Sequence, residues 1–191
     1  MHANRQGGVT LLELLLVIVL MAVVTAISVP SLTRLIDTQT AWSARHELHA
    51  ALQHARFHAV NRRVPTVICR SGDGQDCNQQ GHWGEGWILF EDATGSNDCQ
   101  VDPDTTTCHH GGRVVQVHQG GRPSVVVVHN SNVANRIRFN TLGASPGYTG
   151  RFTVCNHEGE ALRGLVVSQS GRVRTASAGD FLDCPVIAGS D

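Results

Sequence analysis

Apolar and polar positions divide the chain into three regimes. From Leu11 to Val29 the residues are apolar on every side of a helical wheel, and Glu13 is the one ionisable member. At about 1.5 Å per residue such a run matches the roughly 30 Å hydrocarbon core of a bilayer, so a transmembrane helix is expected at about 11–29. Further on, Leu48, Ala51, Leu52, Ala55 and Ala59 recur at helical spacing and draw a single apolar stripe, which ends near Arg62-Arg63, before Val64-Pro65. One long helix over 9–63 follows, with Pro30 placed to kink or loosen it. From Thr66 the pattern changes to β-branched runs cut by glycine, at 66–68, 86–90, 114–117, 125–128, 136–139, 152–155, 162–167 and 172–175. The last two flank Ser168-Gln169-Ser170-Gly171, a turn sequence that predicts a hairpin. Residues 91–112 are acidic, glycine-rich and poor in apolar side chains, which predicts a long surface loop. The expected fold class is α+β, a long amino-terminal helix packed on a β-rich head over 64–191.

Composition narrows the chemistry. In 191 residues with a net charge of −1, all fifteen fixed cations are arginine. The absence of lysine excludes Schiff-base catalysis and a P-loop lysine. Charge is unevenly placed: residues 71–110 hold eight acids and no arginine, whereas residues 111–174 hold eight arginines against Glu158 and Glu160. A basic stretch of this kind attracts phosphate locally whatever the net charge, because screening removes distant charges within roughly 8–10 Å.

Glu13 is out of place in an apolar segment and needs a partner. If the chain is cut after Gly8, the new amine on Val9 lies one turn from Glu13, and the same amine on a neighbouring copy is also a candidate partner. A secretory signal peptide puts its small-residue cleavage site after the apolar run, but here Gly7-Gly8 precedes it. Gly7-Gly8-Val9-Thr10-Leu11-Leu12-Glu13, followed by an apolar helix containing Pro30, resembles the class III signal of type IV pilins and pseudopilins. The resemblance implies a leader at 1–8, cleavage between Gly8 and Val9 by a prepilin peptidase, and N-methylation of Val9, although the family usually has phenylalanine there. It also implies filament-assembly roles for Glu13 and Pro30. The expected partners are then other pilins and the inner membrane. The head would be periplasmic before assembly and extracellular in the pilus afterwards.

In that oxidising location the six cysteines are expected to form three disulfides. Of the fifteen pairings, the preferred set is Cys69 with Cys77, Cys99 with Cys108, and Cys155 with Cys184. The first two close short turn-rich loops, and the third pins the carboxyl-terminal tail.

Catalytic patterns fail on physical grounds. Gly143-Ala144-Ser145-Pro146-Gly147 has the letters of a nucleophile elbow, but Pro146 has no N–H to offer an oxyanion, so a turn is expected. His54 and His58 stand four apart on the helix, with no acid on the same face to complete a metal site. They are read, with His46 and His49, as the polar flank of the apolar stripe, exposed or at a subunit seam, and Cys108-His109-His110 is read as a loop. No enzyme activity, metal or cofactor is expected.

The arginines are more specific. In Arg136-Ile137-Arg138-Phe139 and Arg172-Val173-Arg174, strand alternation puts each arginine pair on one face, about 6–7 Å apart, a spacing suited to following a phosphate backbone. Alternating arginines also simply solvate an outer strand face. Ser170-Gly171-Arg172-Val173-Arg174, Ile68-Cys69-Arg70-Ser71, Trp83 and Trp87-Ile88-Leu89-Phe90 resemble the GspH/FimT branch of minor pilins and pseudopilins. In members of that branch active in natural transformation, a G-R-x-R motif is implicated in DNA binding, and Gly171, Arg172 and Arg174 match it. Arg136, Arg138, Arg151 and Arg163 join the candidate patch from local charge alone. The implied function is a minor pilin that binds DNA independently of sequence. The alternatives are a structural minor pilin of the FimU kind and a type II secretion pseudopilin of the GspH kind. The sequence leaves open whether the acidic 71–110 region masks the arginines.

Overall fold

Helix α1 (Leu11–Arg62) begins where the hydroxyl of Thr10 accepts the backbone N–H of Glu13 at 3.3 Å, which satisfies one of the donors a helix leaves open at its start. It ends at Arg63, whose φ of 55° is left-handed, and Val64-Pro65 follows, where the proline disfavours continued helix. The helix is unbroken through Pro30. The computed structural model describes residues 10–77, 82–102, 105–121 and 125–186, apart from the side chains of 27–31 and 33. The leader at 1–8, the Gly8–Val9 cleavage site and the ring of Pro30 therefore lie outside the described residues.

The chain divides into two units, Met1–Ile36 and Asp37–Asp191. In the first, every side chain from Leu14 to Met21 is solvent-exposed, which covers all sides of the helix. Among the described residues no helix is long and apolar enough to cross a membrane. The described apolar run stops at Ala26, and from Leu11 that is about 24 Å of helix against a roughly 30 Å core. The span expected at 11–29 thus reaches past the described side chains.

The second unit contains the rest of α1 and two antiparallel sheets. The first sheet has the order β3–β2–β1–β5, from β1 (Thr66–Arg70), β2 (Gly86–Glu91), β3 (Arg113–Gln119) and β5 (Arg136–Phe139). The second has the order β4–β6–β7–β8, from β4 (Val125–His129), β6 (Gly150–Asn156), β7 (Ala161–Val167) and β8 (Val173–Thr175). Each strand falls on one of the β-branched runs. The apolar stripe of α1, extended back to Ala41 and Ala44, is buried against Ile68, Leu89, Ile137 and Phe139 of the first sheet and Phe152, Val154, Leu165 and Val167 of the second. One helix thereby closes a core that neither sheet could bury alone.

The segment 91–112 differs from expectation. It is not a free surface loop, because it covers the far face of the first sheet and encloses a second core of Val67, Cys69, Ile88, Phe90, Cys99 and Cys108. Isolated bridges pair Asp76 with Gln100, Val101 with Cys108, and Thr107 with Arg113. Average polarity concealed this, since a single valine and one bonded cysteine pair supply the apolar inward surface, and the acid Asp92 is itself buried. The disulfides are Cys69–Cys77, Cys99–Cys108 and Cys155–Cys184. The last ties the tail to β6, where the Leu182 N–H also donates to the Thr153 hydroxyl at 2.9 Å.

Candidate functional site

The second sheet organises the arginines through its register. Arg151 on β6 pairs with Val166 on β7, and Val166 pairs with Arg174 on β8. Paired residues point to the same face, so Arg151 and Arg174 stand in one cross-strand row, about 10 Å apart at the usual strand spacing. The neighbouring row, Phe152–Leu165–Thr175, starts with two core residues, so the arginine row faces away from the core. Arg172 precedes the buried Val173 and by alternation shares the outer face with Arg174. Its side chain is exposed and has no hydrogen-bond or ion-pair partner among the described residues.

Gly171 fixes where these arginines stand. Its φ is +74°, and an added Cβ would lie 1.9 Å from the carbonyl oxygen of Gly143. That carbonyl accepts a hydrogen bond from Arg56 Nε on α1 at 3.0 Å, and the Ser145 N–H donates to the Gln169 carbonyl at 3.0 Å. The glycine of the motif therefore locks the hairpin turn onto the 140–147 loop and, through it, onto the helix. The Gly143–Gly147 segment is itself a turn, with both glycines at positive φ and Ser145 fully buried.

Asp180 is the residue that sequence reasoning missed. Its carboxylate receives two hydrogen bonds from the Arg174 guanidinium, at 2.8 and 3.1 Å, and the backbone N–H and hydroxyl of Ser177 at 2.9 and 2.8 Å. Its carbonyl oxygen accepts from Arg151 at 3.5 Å. The Arg174 hydrogen bonds, then those of Ser177, hold the Asp180 carboxyl well below the usual carboxylate range, and the same pairing raises Arg174. A Ser-x-x-Asp spacing shortly after the motif was the available signal, since it marks a capping box around the short turn at Ala178–Asp180.

The remaining candidates lie elsewhere. Arg136 and Arg138 share one face of β5, but the acidic segment occupies them. Arg138 pairs with the buried Asp92 at 3.0 Å and donates to the Asn97 side chain at 2.9 Å, and Arg136 donates to the Asn97 carbonyl and stands 4.0 Å from Asp98. A buried carboxylate requires such a partner, so these two arginines hold the 92–98 segment in place and are removed from the patch. Arg163 pairs with the core residue Val154, so it points to the opposite face from Arg151 and Arg174 and lies beside Thr38, Gln39 and Trp42 of the helix.

The helix histidines also need correction. His58 is largely buried and bonds Glu91 of β2 at 2.8 Å, and Arg113 completes the carboxylate's shell at 2.9 and 3.2 Å. An acid does reach His58, but from a strand and not from the helix, which spacing along α1 could not reveal. Arg113 and then His58 pull the Glu91 carboxyl down to about 2. His54 meets Gln116 at 3.0 Å. Among the described residues no group of three metal ligands assembles.

An apolar helix entering a two-sheet, disulfide-tied head defines the chain as a pilin-like filament subunit. The family described as type II transport protein GspH matches residues 44–171, and the prokaryotic N-terminal methylation motif matches residues 3–29. The chain belongs to the GspH family and is a minor pilin or pseudopilin. It is similar to the type IV minor pilin FimU of Pseudomonas aeruginosa, with 26% identity, a TM-score of 0.53, and coverage of 76% of this chain and 92% of that one. A second crystal form of FimU gives a TM-score of 0.52 at 26% identity, covering 75% of this chain and 96% of that one. No curated protein matches the chain. The matched proteins serve transport and pili and are not enzymes.

Proposed function

We propose that this chain is a minor pilin of a type IV pilus whose head binds extracellular DNA for uptake, through Arg172, Arg174 and Arg151. Prepilin peptidase cleaves after Gly8 and Val9 is methylated. The apolar half of α1 rests in the inner membrane before assembly and against other pilins afterwards, because a helix exposing leucine and valine on every side needs lipid or protein around it. Glu13, in the first turn, meets the amine of a neighbouring subunit, and Pro30 loosens the helix for packing. The observation that carries the DNA reading is the outward arginine row with the unpaired Arg172 beside it. Such contacts supply electrostatic affinity without base readout, so binding falls steeply with salt.

A structural role in pilus assembly is the second reading, favoured by the likeness to FimU and by the Asp180 carboxylate that already occupies Arg174. A role in type II secretion is favoured by the family description. The test is duplex DNA binding by the full chain at two salt concentrations, beside an Arg172→Gln/Arg174→Gln variant, with pilus assembly scored in cells. Salt-sensitive binding lost in the variant, with pili still assembled, supports the DNA reading. Absence of binding by the unaltered chain at low salt moves the assignment to a structural or secretion subunit.

A further inference from the structure

The chain has three tryptophans, and two of them, Trp83 and Trp87, are 2% and 3% exposed in the core. Trp42 is 47% exposed. It lies on α1 with His46 against it, ring centroids 4.2 Å apart and planes tilted by 48°. Beside it is an open cavity of about 220 Å³ lined by Thr38, Gln39, Trp42 and Arg163. Arg163 is held there by donating to the Leu162 carbonyl at 2.7 Å.

The cavity lies on the helix side of the second sheet, the face opposite Arg151 and Arg174, close to the β8 edge. Arg45, one helical turn from Trp42, reaches across to the Thr175 hydroxyl at 3.1 Å, and Thr175 follows Arg174 on the edge strand β8. An aromatic platform, a guanidinium and two short polar side chains thus sit around the edge of the sheet that carries Arg172 and Arg174. An apolar subunit surface placed here would leave Arg163 and the polar side chains desolvated without matching partners. A nucleobase suits all of them, because its π-face stacks on an indole, its edges take hydrogen bonds, and the linked phosphate meets arginine.

We infer that Trp42 and Arg163 form a pocket for one unpaired nucleobase, so that the nucleic acid this head prefers is single-stranded where it crosses the β8 edge. The inference rests on the DNA-binding reading and adds to it the substrate class and a second contact. A duplex keeps its bases stacked and reaches only the outer arginines.

The test uses the full chain in detergent micelles and three probes of equal length: oligothymidine, a DNA duplex, and an abasic sugar-phosphate strand. Because Trp83 and Trp87 are buried, quenching of tryptophan fluorescence on binding reports on Trp42. The expected result is quenching by oligothymidine alone. Trp42→Ala should weaken oligothymidine binding by about 5- to 150-fold and leave duplex binding unchanged. Trp42→Phe, which keeps a ring and the packing, should lose less, and Arg163→Gln should lower oligothymidine affinity more than duplex affinity. Arg172→Gln should weaken all three probes alike. Oligothymidine that binds without quenching and with equal affinity to Trp42→Ala overturns the pocket while leaving the DNA reading intact. Failure of every probe to bind the unaltered chain overturns both. Unaltered binding combined with loss of pili in Trp42→Ala assigns the ring to a subunit contact and overturns the pocket.

Discussion

Replacing Gly171 by alanine separates two costs that the motif glycine combines. The first is conformational, since a φ of +74° disfavours any residue with a Cβ by about 1 kcal/mol. The second is steric, because the new Cβ would lie 1.9 Å from the Gly143 carbonyl oxygen, a backbone atom that cannot swing aside. The turn must retreat by more than an ångström, and it then loses the Gly171 N–H bond to the Ser168 carbonyl at 2.8 Å and the Ser145–Gln169 bond at 3.0 Å. At about 1 kcal/mol for each bond, Gly171→Ala should cost about 3 kcal/mol in all. Gly147 is the control, with a φ of +83° and nothing within 4 Å of an added Cβ, so Gly147→Ala should cost only the conformational part, about 1 kcal/mol. For a domain of this size these losses correspond to roughly 6–12 °C and 2–4 °C in Tm. The assay is unfolding with disulfides intact, followed by the fluorescence of the buried Trp83 and Trp87. Equal losses in the two variants would refute the claim that close approach to Gly143 sets the position of the motif. In the same variant, DNA affinity should fall because Arg172 moves with the turn.

Three further outcomes are expected. Glu91 is held at about 2 against an ordinary value of 4.5, so its contribution is complete above about pH 4.5 and disappears as pH falls through about 2. Glu91→Gln should remove about 1–2 kcal/mol at neutral pH, after allowing for solvent around the exposed Arg113, and should flatten the stability curve between those pH values. Replacing Cys155 and Cys184 together by alanine opens a loop with a sequence separation of 29 and should cost about 3–4 kcal/mol, read as a lower denaturant midpoint. Asp180→Asn frees Arg174 and removes a negative charge from the arginine face. DNA affinity should therefore rise and the log–log salt slope steepen by about 0.9, whereas lower affinity would mean that Asp180 positions Arg174 for the ligand.

The sequence by itself determined the helix limits, the eight strand positions, the closing hairpin and the filament-subunit class. Those features are written in local periodicity, in Val64-Pro65, in Ser168-Gln169-Ser170-Gly171 and in the Gly8–Glu13 signal, so they can be read within a few residues of where they occur. The shared face of Arg172 and Arg174 was equally legible, because strand alternation is local. Tertiary structure alone decided which arginines keep company. The Arg151–Val166–Arg174 row depends on the register of three strands, and Arg163 falls on the opposite face because it pairs with Val154. The fates of Arg136 and Arg138 were set by Asp92, Asn97 and Asp98, roughly forty residues earlier in the chain. Composition could show that this segment was acidic but not that it folds back over the first sheet. Charge pairing acts through space over a few ångströms, whereas a sequence records separation along the chain, so the choice between a free arginine and a paired one belongs to the fold.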